Sequence, residues 1–139
     1  MPHDPIDIVR IFHQAYADRD VERVVACLHP DVEWTSAENF IYVDHSPYRG
    51  IDAVVKLIFG RVLGDWDQFS LSSEEVLGGG DLAISNGRMR GVFKANGASV
   101  DAQFVQVFQV KDGKIYKCQV YTDTAQFKEA VNQIRLAGV

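Results

Sequence analysis

Between Val100 and Asp123 two runs rich in β-branched and aromatic residues, VDAQFVQVFQV and IYKCQVYTD, flank a Lys-Asp-Gly-Lys turn. No other stretch restricts the possible folds as much, because this pattern is a β-hairpin signal. Side chains on a strand alternate faces. One face of the first run is then Phe104, Gln106, Phe108 and Val110, and the other is Gln103, Val105, Val107 and Gln109. Both faces carry apolar residues. The sheet is therefore expected to be covered by helices on one side and by a second subunit on the other. Gln106 interrupts an apolar face, and an amide buried there without a partner costs about 1–3 kcal/mol. It is either a satisfied structural glutamine or a hydrogen-bonding group aimed into a pocket.

The rest of the chain supplies that cover. Asp4 and Pro5 start a helix as cap and first residue, and Ile8, Ile11, Phe12, Ala15 and Tyr16 recur at helical spacing. Asp20 caps a second helix, Val21 to Leu28, which His29-Pro30-Asp31 ends. Val32 to Thr35 reads as a short strand, and Ser36 to Ser46 as irregular. Pro47 to Gly50 reads as a turn. A third helix runs from Ile51 to about Leu63, with Val54, Val55, Ile58, Phe59 and Val62 as its buried stripe, and Gly64 to Asp67 closes it. Phe69–Leu77, Leu82–Lys94, Ser99–Val110 and Lys114–Thr122 read as strands, with a primed turn at Asn96-Gly97. Gly78 to Asp81 reads as a loop between strands, because a strand and not a helix follows it. Asp123 opens a last helix, Thr124 to Leu136. Helices followed by a meander predict an α+β fold, a curved antiparallel sheet with helices on one face. A small molecule would fit in the space between them.

With 139 residues and 47% apolar content, the chain is expected to form a single domain over residues 1–139. The net charge of −5 is dispersed, and no basic stripe exists, so nucleic acid is not an expected partner. No apolar run reaches membrane-spanning length, and the first residues lack a secretory pattern. The expected compartment is cytoplasmic, where Cys27 and Cys118, the only cysteines, are free and buried; a disulfide between them is the alternative. The four histidines fall in no ligand spacing, so neither a metal nor another cofactor is expected.

Asp20-Val21-Glu22, Leu28-His29-Pro30-Asp31-Val32-Glu33-Trp34 and Tyr48-Arg49-Gly50-Ile51-Asp52-Ala53-Val54 resemble, in that order, the nuclear-transport-factor-2-like (NTF2-like, cystatin-like) superfamily. Asp112-Gly113-Lys114-Ile115 and Tyr121-Thr122-Asp123-Thr124-Ala125 extend the resemblance to nearly the whole chain. It looks most like the SnoaL-like, ketosteroid-isomerase-related members. The resemblance implies a cone-shaped α+β barrel, a deep apolar pocket, a small hydrophobic ligand and a homodimer packed through the sheet.

Fold does not settle function, so each site position counts separately. Ketosteroid isomerases use a carboxylate base and a two-donor oxyanion hole. By shared landmarks the base position falls near Thr35-Ser36, the tyrosine on Phe12 and the oxyanion acid on Gln106. All three differ, so isomerisation by that route is not expected. Gln106 can still donate to a carbonyl or developing oxyanion. The resemblance to SnoaL-like cyclases gives Asp123 as the acid/base group. Two readings stand for it, a proton shuttle at the pocket mouth or a helix N-cap. Asp123 and Gln106 are thus the candidate catalytic pair, and Phe12, Tyr16, Trp34, Tyr48, Phe104, Phe108, Cys118 and Tyr121 the candidate pocket residues. Tyr16 and Trp34 could equally be plain core, and Cys118 reads as a buried apolar residue rather than a nucleophile. Asp44-His45 is either an acid/base pair or an exposed loop pair. The activity expected is cofactor-independent acid/base chemistry of the isomerase, cyclase or hydrolase type on a small carbonyl-bearing molecule. The alternative is a non-catalytic binding or dimerisation module.

Overall fold

The computed structural model describes residues 4–133. Six strands form one sheet in the order β2-β1-β6-β5-β4-β3. They are β1 (Leu28–Thr35), β2 (Tyr48–Arg49), β3 (Trp66–Gly79), β4 (Leu82–Phe93), β5 (Ser99–Lys111) and β6 (Lys114–Thr122). All neighbours are antiparallel except β1 and β6, which run parallel. The sheet is curved but does not close. β2 and β3 remain as edges, so the expected barrel is an open, bent wall.

The hairpin forms as its residues dictate. Asp112 and Gly113 both take positive φ, at 55° and 72°, which a two-residue primed turn requires. The Asn96-Gly97 connection differs from expectation. Only Gly97 has positive φ, and the Gly97 N–H donates to the Phe93 carbonyl at 2.8 Å. The loop is a wider one, from Lys94 to Gly97, rather than a primed turn. At the other end of β4 the strand pairing runs to Gly79, leaving Gly80-Asp81 as the turn. Gly87 sits where β3 shifts register between Ser73 and Glu75, and a Cβ there would run into the Ser72 carbonyl.

Helix α1 (Pro5–Ala17) starts with the Asp4 carboxylate accepting from the Ile6 N–H at 2.8 Å. Its buried face, Ile8, Val9, Phe12, His13, Ala15 and Tyr16, lies on the inner face of the sheet. Helix α2 (Val21–Ala26) ends earlier than expected, because Leu28 to Asp31 already belong to β1. Tyr48-Arg49 is not a free turn but the short edge strand β2 on Trp34 and Glu33. The third helical region is continuous but irregular: α3 (Ile51–Ala53), a π-helical stretch (Val54–Phe59) and α4 (Gly60–Asp65). Trp66 and Asp67, expected to close it, begin β3 instead. Helix α5 (Thr124–Asn132) docks Phe127 and Ala130 against the far end of the sheet. The expected end of this helix at Leu136 lies outside the described residues.

The inner face of the hairpin carries the core. Phe104, Gln106, Phe108 and Val110 are buried, whereas Gln103, Val105, Val107 and Gln109 are exposed or half-buried.

Candidate functional site

Between the inner sheet face and the helices lies a hollow of about 40 Å³. Its walls are almost entirely apolar. Trp34, Phe69, Met89 and Val120 come from the sheet, Ile58 and Phe59 from the π-helical stretch, and Phe40 from the irregular loop after β1. Tyr16, Ser36 and Gln106 are its polar members. The Ser36 hydroxyl already donates to the Tyr42 carbonyl at 2.9 Å. Gln106 is only 1% exposed, and among the described residues its Oε1 has no hydrogen-bond partner. Burial pushes the Tyr16 hydroxyl well above its ordinary pKa, so it stays protonated at neutral pH. A volume of about 40 Å³ holds water but falls well short of the roughly 300 Å³ at which ligand pockets begin.

The loop after β1 closes the mouth. Phe40 stacks edge-on against Phe127 of α5 at 5.1 Å and against Tyr42 at 5.7 Å. The Tyr42 hydroxyl donates to Asp65 at 2.6 Å, and the Trp66 indole N–H donates to Tyr42 at 3.2 Å. Arg61 grips Asp44 with both terminal nitrogens, at 2.8 and 3.1 Å. Tyr48 donates to the same carboxylate at 2.9 Å. The Arg61 and Tyr48 hydrogen bonds hold the Asp44 carboxyl well below its usual range. Asp44 is therefore the anchor of a loop strap ion-paired to Arg61, with His45 Nε2 at 3.6 Å from its carboxylate.

The structure brings only part of the expected site together. Gln106, Tyr16 and Trp34 line the hollow. Phe12, Phe104, Phe108 and Cys118 are packed in the core beside it, with the Phe12 ring 5.9 Å from Trp34 and 6.0 Å from Phe108. Burial pushes the Cys118 thiol far up, as expected of a packing residue. Tyr48 is buried, but its hydroxyl is engaged by the Asp44 strap rather than the hollow. Tyr121 is 55% exposed and pairs with Val105 on the outer sheet face, where it lines a surface groove and not the hollow. Its period-two position opposite Val120 places it there. Asp123 is half-buried at the start of α5, where its Oδ2 accepts from Gln126 Nε2 at 3.0 Å. Its side chain caps no backbone N–H of the helix and does not line the hollow. Arg88 and Arg90 form ion pairs with Asp101 on the outer face, at 2.9 and 3.3 Å.

One cluster escaped the sequence. His13, on the buried face of α1, hydrogen-bonds Ser85 Oγ of β4 at 2.8 Å, and Ser85 bonds Ser73 Oγ of β3 at 2.9 Å. Burial lowers the imidazole pKa to about 4, which keeps it neutral. The available signals were a histidine beside Phe12 in the apolar helical stripe and a serine at an inward position of β4.

An open, bent, mostly antiparallel sheet roofed by N-terminal helices over an apolar hollow defines an NTF2-like fold. The family model for the SnoaL-like domain matches residues 9–118, and the chain belongs to that family. No curated protein matches the sequence. Among solved structures, an NTF2-like protein from Burkholderia thailandensis is similar at 27% identity, with a TM-score of 0.89 over 94% of this chain and 99% of that one. TerC, co-crystallized with polyporic acid, shares 22% identity and a TM-score of 0.81 over 94% of this chain and all of that one. A putative SnoaL-like polyketide cyclase from Jannaschia sp. shares 19% identity and a TM-score of 0.76, covering 94% and 93%. Among the described residues, no helix is long and apolar enough to cross a membrane.

Proposed function

We propose that this SnoaL-like protein binds a small, mostly apolar molecule carrying a carbonyl or hydroxyl group, with Gln106 as the polar anchor at the base of the hollow. The observation that carries this reading is the Gln106 amide. It is fully buried, it lines an apolar space, and among the described residues its Oε1 has no partner. An apolar residue would pack there at lower cost, whereas a ligand hydroxyl would satisfy the oxygen. Rotating the amide offers an N–H to a carbonyl instead. TerC with polyporic acid and the putative polyketide cyclase share the fold and suggest the same ligand class.

A ring-sized ligand requires the resting hollow to widen. A second apolar void of about 70 Å³ lies beyond Tyr16 and Phe59, which line both spaces. Phe59 ends the π-helical stretch, a kind of turn that recurs at functional sites. Movement of these two rings joins the voids, and movement of Phe40 opens the mouth.

The binding partner beyond the ligand is a second copy of the chain, docked through the outer sheet face. Leu77, Leu82, Ile84 and Tyr121 are exposed there beside half-buried Val105 and Val107. Their neighbours Gln109 and Gln119 are uncharged, which suits a self-complementary contact.

The test uses 2-tetralone, two fused rings with one ketone, in an NMR titration of the full chain. Shifts centred on Ile58, Met89 and Val120, with affinity falling about tenfold in Gln106→Leu, support the reading. The absence of shifts, or equal affinity in the variant, overturns it.

A further inference from the structure

Helix α1 ends in a Schellman motif. The Arg19 N–H donates to the Tyr16 carbonyl at 3.1 Å, and the Asp20 N–H to the Ala15 carbonyl at 3.0 Å. That pattern holds Arg19 at φ 54°, a left-handed conformation that glycine adopts freely and other residues rarely. An arginine at this position is explained by where its side chain goes.

The side chain folds back over the helix end. Its Nη1 donates to the Tyr16 carbonyl at 2.8 Å, and its Nη2 donates to the Phe69 carbonyl of β3. The guanidinium carbon lies 5.1 Å from the centre of the Tyr16 ring. Both acceptors are neutral and leave the positive charge uncompensated. The acids on either side in sequence, Asp18 and Asp20, turn instead to Arg23, at 3.2 and 3.9 Å. Among the described residues, no carboxylate forms an ion pair with Arg19.

This cation borders the second void, the apolar space of about 70 Å³ whose other walls include Val24, Val55 and Leu63. Val21, 61% exposed, also lines it, so the void meets solvent at the end where Arg19 stands. Tyr16 and Phe59 divide it from the hollow, and Gln106 lines the hollow beyond them. From the surface inward the order is a cation, an apolar passage, two aromatic rings and a buried amide.

We propose that the ligand of this pocket is a chain-shaped keto or hydroxy acid. Its carboxylate pairs with Arg19 at the surface, its methylene chain passes between Tyr16 and Phe59, and its oxygen-bearing end reaches Gln106. The inference deepens the ligand-binding reading and rests on it. Charge fixes the direction of entry. A carboxylate carried into the hollow would lose its hydration among apolar walls, where no cation is among the lining residues described. Beside Arg19 it keeps water on one side and gains charge-assisted hydrogen bonds. Width fixes the shape of the middle. A methylene chain is narrower than a ring and threads two small voids with less displacement of Tyr16 and Phe59.

The experiment measures binding of 9-oxodecanoate and of 2-decanone to the full chain by isothermal titration calorimetry. Both probes are methyl ketones on chains of equal length, and only the first ends in a carboxylate. Wild-type protein is expected to bind the acid about tenfold more tightly, with the preference shrinking at high salt. Arg19→Gln is expected to weaken the acid alone and so remove the preference. Arg19→Lys keeps the charge and is expected to retain most of it, which guards against a folding defect in the first variant. Equal affinity of wild-type protein for the two probes, or a preference that survives Arg19→Gln, overturns the inference. Equal weakening of both probes in Arg19→Gln makes Arg19 a structural clamp and also overturns it. Binding of 2-tetralone without binding of either chain overturns this inference and leaves the ligand reading standing. Absence of binding by all three overturns both.

Discussion

Acid should destabilise this protein through His13 before its carboxylates titrate. The ordinary imidazole pKa of 6.5 falls to about 4 in the folded chain because burial disfavours the charged ring. The unfolded chain therefore takes up the proton first. Stability from this residue is complete above pH 6.5 and is lost as pH falls toward 4. At about 1.4 kcal/mol per pH unit, the loss over that window is about 3 kcal/mol, a large share of the roughly 5–15 kcal/mol that holds a domain folded. Trp34 and Trp66 are both nearly fully buried, so tryptophan fluorescence in urea reports unfolding. Midpoints measured from pH 7.5 to 4.5 should fall steeply below pH 6.5 in the wild type. His13→Phe, which cannot titrate, should remove most of that slope. If the variant keeps the wild-type slope, the buried, neutral His13 is refuted.

Gln106→Leu replaces an amide that has an unpartnered oxygen with an apolar side chain, and should raise stability by about 1 kcal/mol, read as a higher urea midpoint, while weakening ligand binding. Gly87→Ala forces a methyl group into the Ser72 carbonyl at the β3 shift and should cost about 2–3 kcal/mol, read from the same titration. Ile84→Lys, placed at a 39% exposed position on the outer face, should convert the proposed dimer to a monomer in sedimentation velocity without lowering the melting temperature of the monomer. An unchanged sedimentation coefficient would contradict the proposed dimer through that face.

The hairpin was legible because its information is local. Asp112-Gly113 specifies a turn, and alternation in β5 specifies which side chains face inward, Gln106 among them. The helical stripe of α1 likewise gave Phe12 and Tyr16. The elements that were misplaced depend on distant partners. Tyr48-Arg49 is a strand only because Trp34 and Glu33 lie alongside, and Trp66 leaves the helix for β3 because Phe93 stands opposite. Nothing near Val54–Phe59 announces a π-helical turn. The hydrogen bond between His13 and Ser85 joins residues 72 apart in sequence, so no spacing rule reaches it. Tyr121 lies away from the hollow for a simpler reason: alternation along β6 puts it on the face opposite the buried Val120.

The account turns on an apolar hollow that opens to a ligand anchored at Gln106. A crystal structure of the protein soaked with 2-tetralone addresses this most directly. The account predicts ring density between Trp34, Met89 and a displaced Phe59, with the ketone oxygen within hydrogen-bond distance of the Gln106 amide. An unchanged hollow of about 40 Å³ at saturating probe, or tetralone seated only on the outer sheet face, would contradict it.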